Sequence, residues 1–184
     1  MKLLAFSGSL RQGSFNKKLV TVACDIAKTK GAEITHIDLS QFEMPLYNGD
    51  IEDSKGVPAA ANKLSDLFKN ADGVMISSPE YNYSAAGVIK NAFDWMSRIR
   101  PQQPFKNKHI LLMSASPSMV GGNRGLWSLR VPLEGLGAFV YPEMFSLASA
   151  HEAFTSEGGL TDSSLFKTLG SNVDGFIEYV SKNV

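Results

Sequence analysis

Apolar positions along this chain switch repeatedly between two periods. Five runs of strand length, "KLLAFSG" (2–8), "EITHIDL" (33–39), "GVMISS" (73–78), "HILLMSA" (109–115) and "GAFVYPEMFSL" (137–147), are separated by stretches with apolar residues at helical spacing. Phe15, Leu19, Val22 and Ile26 mark a first helix, and Val57, Leu64, Leu67 and Ala71 a second. A third runs from about Ser84 to Arg98, and a fourth carries Leu126, Leu129, Leu133 and Leu136. In the tail, Leu165, Leu169, Val173, Phe176, Ile177 and Val180 share one helical face. Strands that alternate with crossover helices predict a five-stranded parallel sheet covered on both faces, a doubly wound α/β/α sandwich. Pro132 lies inside the fourth pattern, where its missing N–H predicts a kinked or divided helix. Residues 151–162, "HEAFTSEGGLTD", predict an exposed excursion before the tail helix.

Composition narrows this picture. At 184 residues and 43% hydrophobic content the chain can build one sizeable core, so residues 1–184 read as a single domain. Eighteen basic residues balance eighteen acidic ones, so no global field favours nucleic acid or a membrane surface, and an anion site has to be local. Cys24 stands alone, and His36, His109 and His151 are scattered without ligand spacing, so neither a disulfide nor a metal site is expected. The opening "MKLLAFSGSL" reads as a first strand and not as a signal peptide; a reducing, cytoplasmic setting is the expectation.

In a doubly wound fold, ligands bind beyond the carboxyl ends of the strands, where strand order reverses. The loops that follow strands one, three and four, residues 8–15, 78–84 and 114–125, are rich in glycine and polar residues. The first is basic: Lys2, Arg11, Lys17 and Lys18 all precede the first acidic residue, Asp25. A helix start exposes unpaired N–H groups and favours negative charge, yet this one supplies Asn16, Lys17 and Lys18. A bound phosphate would provide that charge, with Ser9, Ser14 and Asn16 as neutral donors and Arg11 as the charged clamp. The plainer alternative is that Ser14 is an N-cap and the lysines are solvated. Nucleotide motifs fit poorly. "GSLRQG" has the outer glycine spacing of a P-loop, but Ser14 and Phe15 stand where Lys and Ser/Thr are required. A Rossmann fingerprint fails because Leu10 occupies its second glycine position.

"GSLRQGSFN" (8–16) resembles the phosphate loop of the NADPH-dependent FMN reductase family, whose flavodoxin-like members include quinone, chromate and azo-dye reductases. "SPEYNYS" (78–84), "GVIKNAFDWMSR" (87–98) and "SASPSMVGGNR" (114–124) resemble its next signatures in the same order, so the likeness covers roughly residues 1–145. The resemblance implies a flavodoxin-like sheet of order 2-1-3-4-5 and bound FMN. It implies contacts from Ser9, Arg11, Ser14, Phe15 and Asn16 in the first loop, and from Pro79, Glu80, Tyr81 and Asn82 in the second. Ser116, Pro117, Gly121 and Gly122 would border the ring from the third loop, with Tyr81 and Arg124 shaping the substrate pocket. Helices three and four would form a homodimer interface, with a tetramer as the further step. Phe93 and Trp95 would pack in the core or at a subunit contact, and Lys90 with Asp94 make an ordinary i,i+4 pair. Where many members carry a proline before helix three this chain has "AAG" (85–87), so a looser turn is expected.

No Ser/His/Asp or Cys/His constellation is present, which suits chemistry carried by a cofactor. The expected activity is NAD(P)H oxidation through FMN, with two electrons passed to a quinone or similar acceptor in a ping-pong cycle. A flavodoxin-type electron carrier or a redox sensor with little turnover is the alternative. Flavodoxins bear a strongly acidic surface, and the neutral charge here argues against the carrier.

Overall fold

Sheet and helix layers follow from strict alternation along the strands. A computed structural model describes residues 1–183; residue 184, the end of the single-domain span expected above, lies outside the described residues. In β1 (Lys2–Ser7), Leu3 and Ala5 point to one face of the sheet and Leu4 and Phe6 to the other, and each set joins a separate apolar cluster. The first cluster packs α1 (Phe15–Thr29) and α6 (Ser163–Asn183) on the sheet. The second packs α3 (Ala59–Asn70), α4 (Gly87–Met96) and α5 (Asn123–Gly135) on the opposite face. A sheet buried on both sides requires the continuous apolar runs seen in β3 (Gly73–Ser77) and β6 (His109–Ala115), in which every residue is buried.

Strand order is β2-β1-β3-β6-β7, with β2 at Glu33–Asp38 and β7 at Phe139–Val140, and all these pairings are parallel. The expected fifth strand is broken. Tyr141–Met144 interrupts it, and the remainder, β8 (Phe145–Leu147), pairs again with β6 further along. Pro142 within that interval cannot donate to a ladder, which accounts for the break. The flavodoxin-like order therefore stands, with six strands in place of five.

Three boundaries differ from the sequence pattern. Helix α2 (Gly49–Lys55) was not signalled, because it buries no residue and so shows no apolar period; Asn48 caps it by accepting from Asp50 N–H. Helix α4 starts at Gly87 and not at Ser84, since β5 (Ser84–Ala85) pairs antiparallel with β4 (Glu80–Tyr81) in a small hairpin. Pro132 does not divide α5, which runs unbroken from Asn123 to Gly135. It lies three residues before the end of α5, so its missing N–H bond affects only the last turn.

The 151–162 excursion is more embedded than its composition predicts. Ala153 is buried, Phe154 stacks on Phe15 at 6.2 Å with nearly parallel rings, and Phe154 and Leu160 form an isolated bridge.

Candidate active site

Parallel register brings three loops to one level. Ser7 pairs with Ser77, and Ser77 with Met113, so the segments beginning at Gly8, Ser78 and Ser114 emerge side by side at the carboxyl edge of the sheet. Gly8 N–H donates to the Ser77 carbonyl and Ser78 N–H to the Met113 carbonyl, which extends the ladder into the loops.

The first loop ends in α1. Ser14 caps the helix by accepting from Asn16 N–H at 3.2 Å, the plainer of its two expected roles. Ser9, also buried, accepts from Arg11 N–H at 3.4 Å. No acidic residue occupies the first turn of α1. Arg11 is exposed and, among the described residues, makes no ion pair, so the positive helix end and its nearest guanidinium both remain available to an anion. Lys17 is different: it pairs with Asp38 at 2.7 Å, so protein supplies its counter-charge. Burial pushes the Asp38 carboxyl up, but the bonds from Lys17 and Ser40 outweigh this and hold it below its ordinary value.

Two residues expected to touch ligand through their side chains are committed elsewhere. The Asn16 amide is buried, donates to the Ala115 carbonyl at 2.8 Å, and accepts from Ala115 N–H and from Ser77 Oγ. It therefore ties α1 to the ends of β3 and β6, and its Nδ2 is spent on Ala115 and not offered as a loop donor. Phe15 packs against Phe154, which leaves its backbone N–H as the group facing the helix start.

The Glu80 side chain is likewise committed within the protein. Its carboxylate is spent on the third loop: Arg124 Nη2 lies 2.6 Å and Nε 2.8 Å from Oε1, and Gly125 N–H donates to Oε2. Burial raises the Glu80 pKa, but the Arg124 and Gly125 bonds and the adjacent charge more than offset this and leave it below the usual carboxylate range. Arg124 also stacks over Tyr83, 4.1 Å from the ring centroid. The pair clamps the second and third loops together. Tyr81 and Tyr83 are left exposed, and Asn82 and Tyr83 hold positive φ at the hairpin tip. The "AAG" turn is pinned and not loose: Ser128 Oγ accepts from Ala85 N–H at 2.8 Å and Ala86 is fully buried.

The third loop shows why glycine is needed. Gly121 and Gly122 have φ of 63° and 85°. A Cβ on Gly121 would press on the backbone of Ser146–Ala148, and one on Gly122 would collide with Ser114 Oγ. Pro79 is buried at the base of the second loop; Ser116 is half-buried, and Pro117 is exposed at the start of the third. Ser116 Oγ accepts from Ser118 N–H and is thus partly used in its own turn. Ser114 Oγ, fully buried, has no hydrogen-bond partner. An orphaned hydroxyl beneath a glycine cradle, beside a helix start without acid and an unpaired Arg11, suits a flat ligand with a phosphate tail.

Sequence reasoning missed the serines that close the strands. Ser7, Ser77, Ser78 and Ser114 are all buried where an apolar residue would continue the run, and that interruption of three apolar strands was a readable signal. The other expectations fall on packing. Phe93 and Trp95 are core residues, and Lys90 pairs with Asp94 at 2.6 Å. Cys24 is buried, with burial pushing its thiol up to about 12, so it is inert. His109 lies at the opposite end of β6 from the loops. A hollow between α1 and α6 lies along the outer side of these helices and includes none of the loop residues 8–15, 78–84 or 114–125.

Fold and site together define a flavodoxin-like protein with a first loop that ends at a helix start without acid, and a glycine cradle. The family model described as NADPH-dependent FMN reductase matches residues 1–152, and the chain belongs to that family. It is 33% identical to the quinone reductase of Escherichia coli K12 over 99% of this chain and 96% of the relative. It is 38% identical to an NAD(P)H-dependent FMN reductase of Pseudomonas aeruginosa, over 88% of this chain and 85% of that one. Among solved structures, the flavoenzyme NAD(P)H:(acceptor) oxidoreductase FerB of Paracoccus denitrificans superposes with a TM-score of 0.83 at 29% identity, covering 99% of this chain and 98% of its own. The protein is accordingly an NAD(P)H-dependent flavoenzyme that uses FMN.

Proposed function

We propose that the protein is an NAD(P)H:quinone oxidoreductase whose FMN phosphate rests on the first loop and whose ring lies between the second and third. The observation that carries this reading is the unpaired Arg11 at a helix start without acid, level with the cradle of Gly121 and Gly122 over Ser114 Oγ. FMN held there would supply the two-electron redox chemistry, for NAD(P)H and a quinone taken in turn in a ping-pong cycle.

The chain's own work is placement. Arg11 and the first-turn N–H groups of α1, including that of Phe15, neutralise the phosphate; Ser9 and Ser14 shape that loop, and Asn16 fixes the helix beneath it. Pro79, Tyr81 and Asn82 line one side of the slot, and Ser116, Pro117, Gly121 and Gly122 the other. The Glu80–Arg124 clamp sets the gap between them. With one such slot, both substrates are taken in turn at the same place. Exposed Trp127 and Val131 on α5 support a homodimer through α4 and α5, with the tetramer as a second step. A cytoplasmic setting, with small-molecule acceptors, accords with the single buried cysteine.

The electron-carrier alternative is disfavoured by the balance of 18 acidic and 18 basic residues. Anaerobic addition of NADPH to the flavin-loaded protein tests the proposal. Fast bleaching of the flavin bands that reverses with a quinone supports it; reduction no faster than that of free FMN overturns it.

A further inference from the structure

Helices α1 and α6 leave a hollow of about 820 Å³ between them, on the outer face of the first core cluster, running along α1 from Lys17 and Lys18 to Lys30. That volume is in the range of small-molecule clefts. Val22 and Ile26 from α1 and Phe166 from α6 line it, and Phe166 is 47% exposed.

Gly170 gives a second, independent observation. Glycine inside a helix is destabilising relative to alanine, so an interior helical glycine needs a reason. Gly175, one and a half turns on, has one, because a Cβ there would collide with the Tyr141 hydroxyl. Gly170 has none within the protein: no atom lies within 4 Å of where its Cβ would be, and it borders the hollow. A bare backbone there widens the hollow without serving the packing of α6.

Charge selects the occupant. Of the lysines around the hollow, Lys17 pairs with Asp38 and Lys30 with Asp174, which accounts for both. Lys18 and Lys167 have no acidic partner among the described residues; Lys18 Nζ instead sits over the Phe15 and Phe154 rings, at 6.0 and 5.5 Å. Of the acids, Asp25 is paired with Lys28 and Asp174 with Lys30, and Glu157, which accepts from the Ser156 hydroxyl, has no cationic partner among the described residues, so the two free lysines leave a net positive charge. An apolar bed with two unmatched ammonium groups complements a molecule of opposite build.

We propose that the α1–α6 hollow binds a fatty carboxylate, its chain laid on Val22, Ile26 and Phe166 across Gly170 and its head group drawn to Lys18 and Lys167. Calorimetric titration of the FMN-loaded protein with dodecanoate, below its micellar concentration, tests this against dodecanol and dodecyltrimethylammonium. Saturable binding of one dodecanoate per chain is expected, about tenfold or more tighter than either control, the size of one charge-assisted contact. Gly170→Leu fills the floor and Lys18→Glu reverses the charge; each is expected to weaken dodecanoate by about tenfold. Circular dichroism and melting report folding, and should Gly170→Leu fail to fold, the surface variant Lys18→Glu decides alone. Absence of saturable binding, equal binding of the cationic detergent, or undiminished binding in the folded variants overturns the proposal. So does a Gly170→Leu-sensitive oligomer without dodecanoate binding, which would make the hollow an interface between copies.

Discussion

The side chain of Asn16 grips the main chain of Ala115 in both directions, donating to its carbonyl at 2.8 Å and accepting from its N–H at 3.0 Å. Ninety-nine residues separate the two, so this contact fixes α1 against the strand that launches the third loop. Asn16→Ala leaves buried partners on Ala115 and Ser77 unmatched. A loss of about 2–3 kcal/mol in urea denaturation is expected. A loss below about 0.5 kcal/mol would mean that water replaces the amide at little cost.

Arg11 is assigned to the phosphate and not to the ring, and that division is measurable. Arg11→Ala should weaken FMN by about tenfold to a hundredfold, the range for a hydrogen bond to a charged group, while leaving riboflavin affinity unchanged. Equal losses for both ligands, in a fluorescence titration, would remove Arg11 from the phosphate.

Gly122 has two reasons to be glycine, its φ of 85° and the proximity of Ser114. Gly122→Ala should therefore impair FMN retention and lower stability by about 2 kcal/mol or more. Adding Ser114→Ala removes the colliding hydroxyl but leaves the backbone strain, so the double variant should recover only part of the loss. Full recovery would show that φ is tolerated, and no recovery that the hydroxyl is irrelevant.

Acid should loosen the loop clamp. The folded-state pKa of Glu80 lies below its ordinary 4.5, so its contribution is present above that value and is lost as pH falls through the lower folded value. The difference in urea midpoint between wild type and Glu80→Gln should be visible at pH 7 and vanish well below pH 4.5. A difference independent of pH would assign the effect of the substitution to packing.

A second acid effect comes from the other end of β6. His109 is buried between Phe139 and Tyr179, and its Nδ1 has no partner. Burial lowers its pKa, against an opposing bond to Asn183. The folded state therefore favours neutral imidazole, with full stability above the ordinary 6.5 and decline below it as unfolding releases the group to protonate. His109→Phe should flatten that slope below the ordinary 6.5; a slope unchanged in the variant would locate the sensitivity elsewhere.

Much of this was legible because burial on both sheet faces writes itself into the sequence. The runs at 2–8, 73–78 and 109–115 carry no polar interruption until their last residues, and the loops that follow stood out by contrast. What stayed hidden depends on contacts between distant residues. Glu80 and Tyr81 read as ligand contacts, yet which carboxylate meets Arg124 depends on where α5 begins relative to the hairpin. Asn16 read as a loop donor because nothing local reveals a carbonyl ninety-nine residues away. Helix α2 carried no period because it buries nothing, and the break at Tyr141–Met144 was masked by apolar residues that continue the pattern without continuing the ladder.

The shared level of Ser7, Ser77 and Met113 makes the three loops exchangeable parts. Each strand advances about 3.3 Å per residue, so one inserted residue before any of these positions would raise a loop by that distance and reverse its side chains. Cuts made after them leave the ladder intact. A graft that begins at Gly8, Ser78 or Ser114 thus inherits a prepared seat in the sheet.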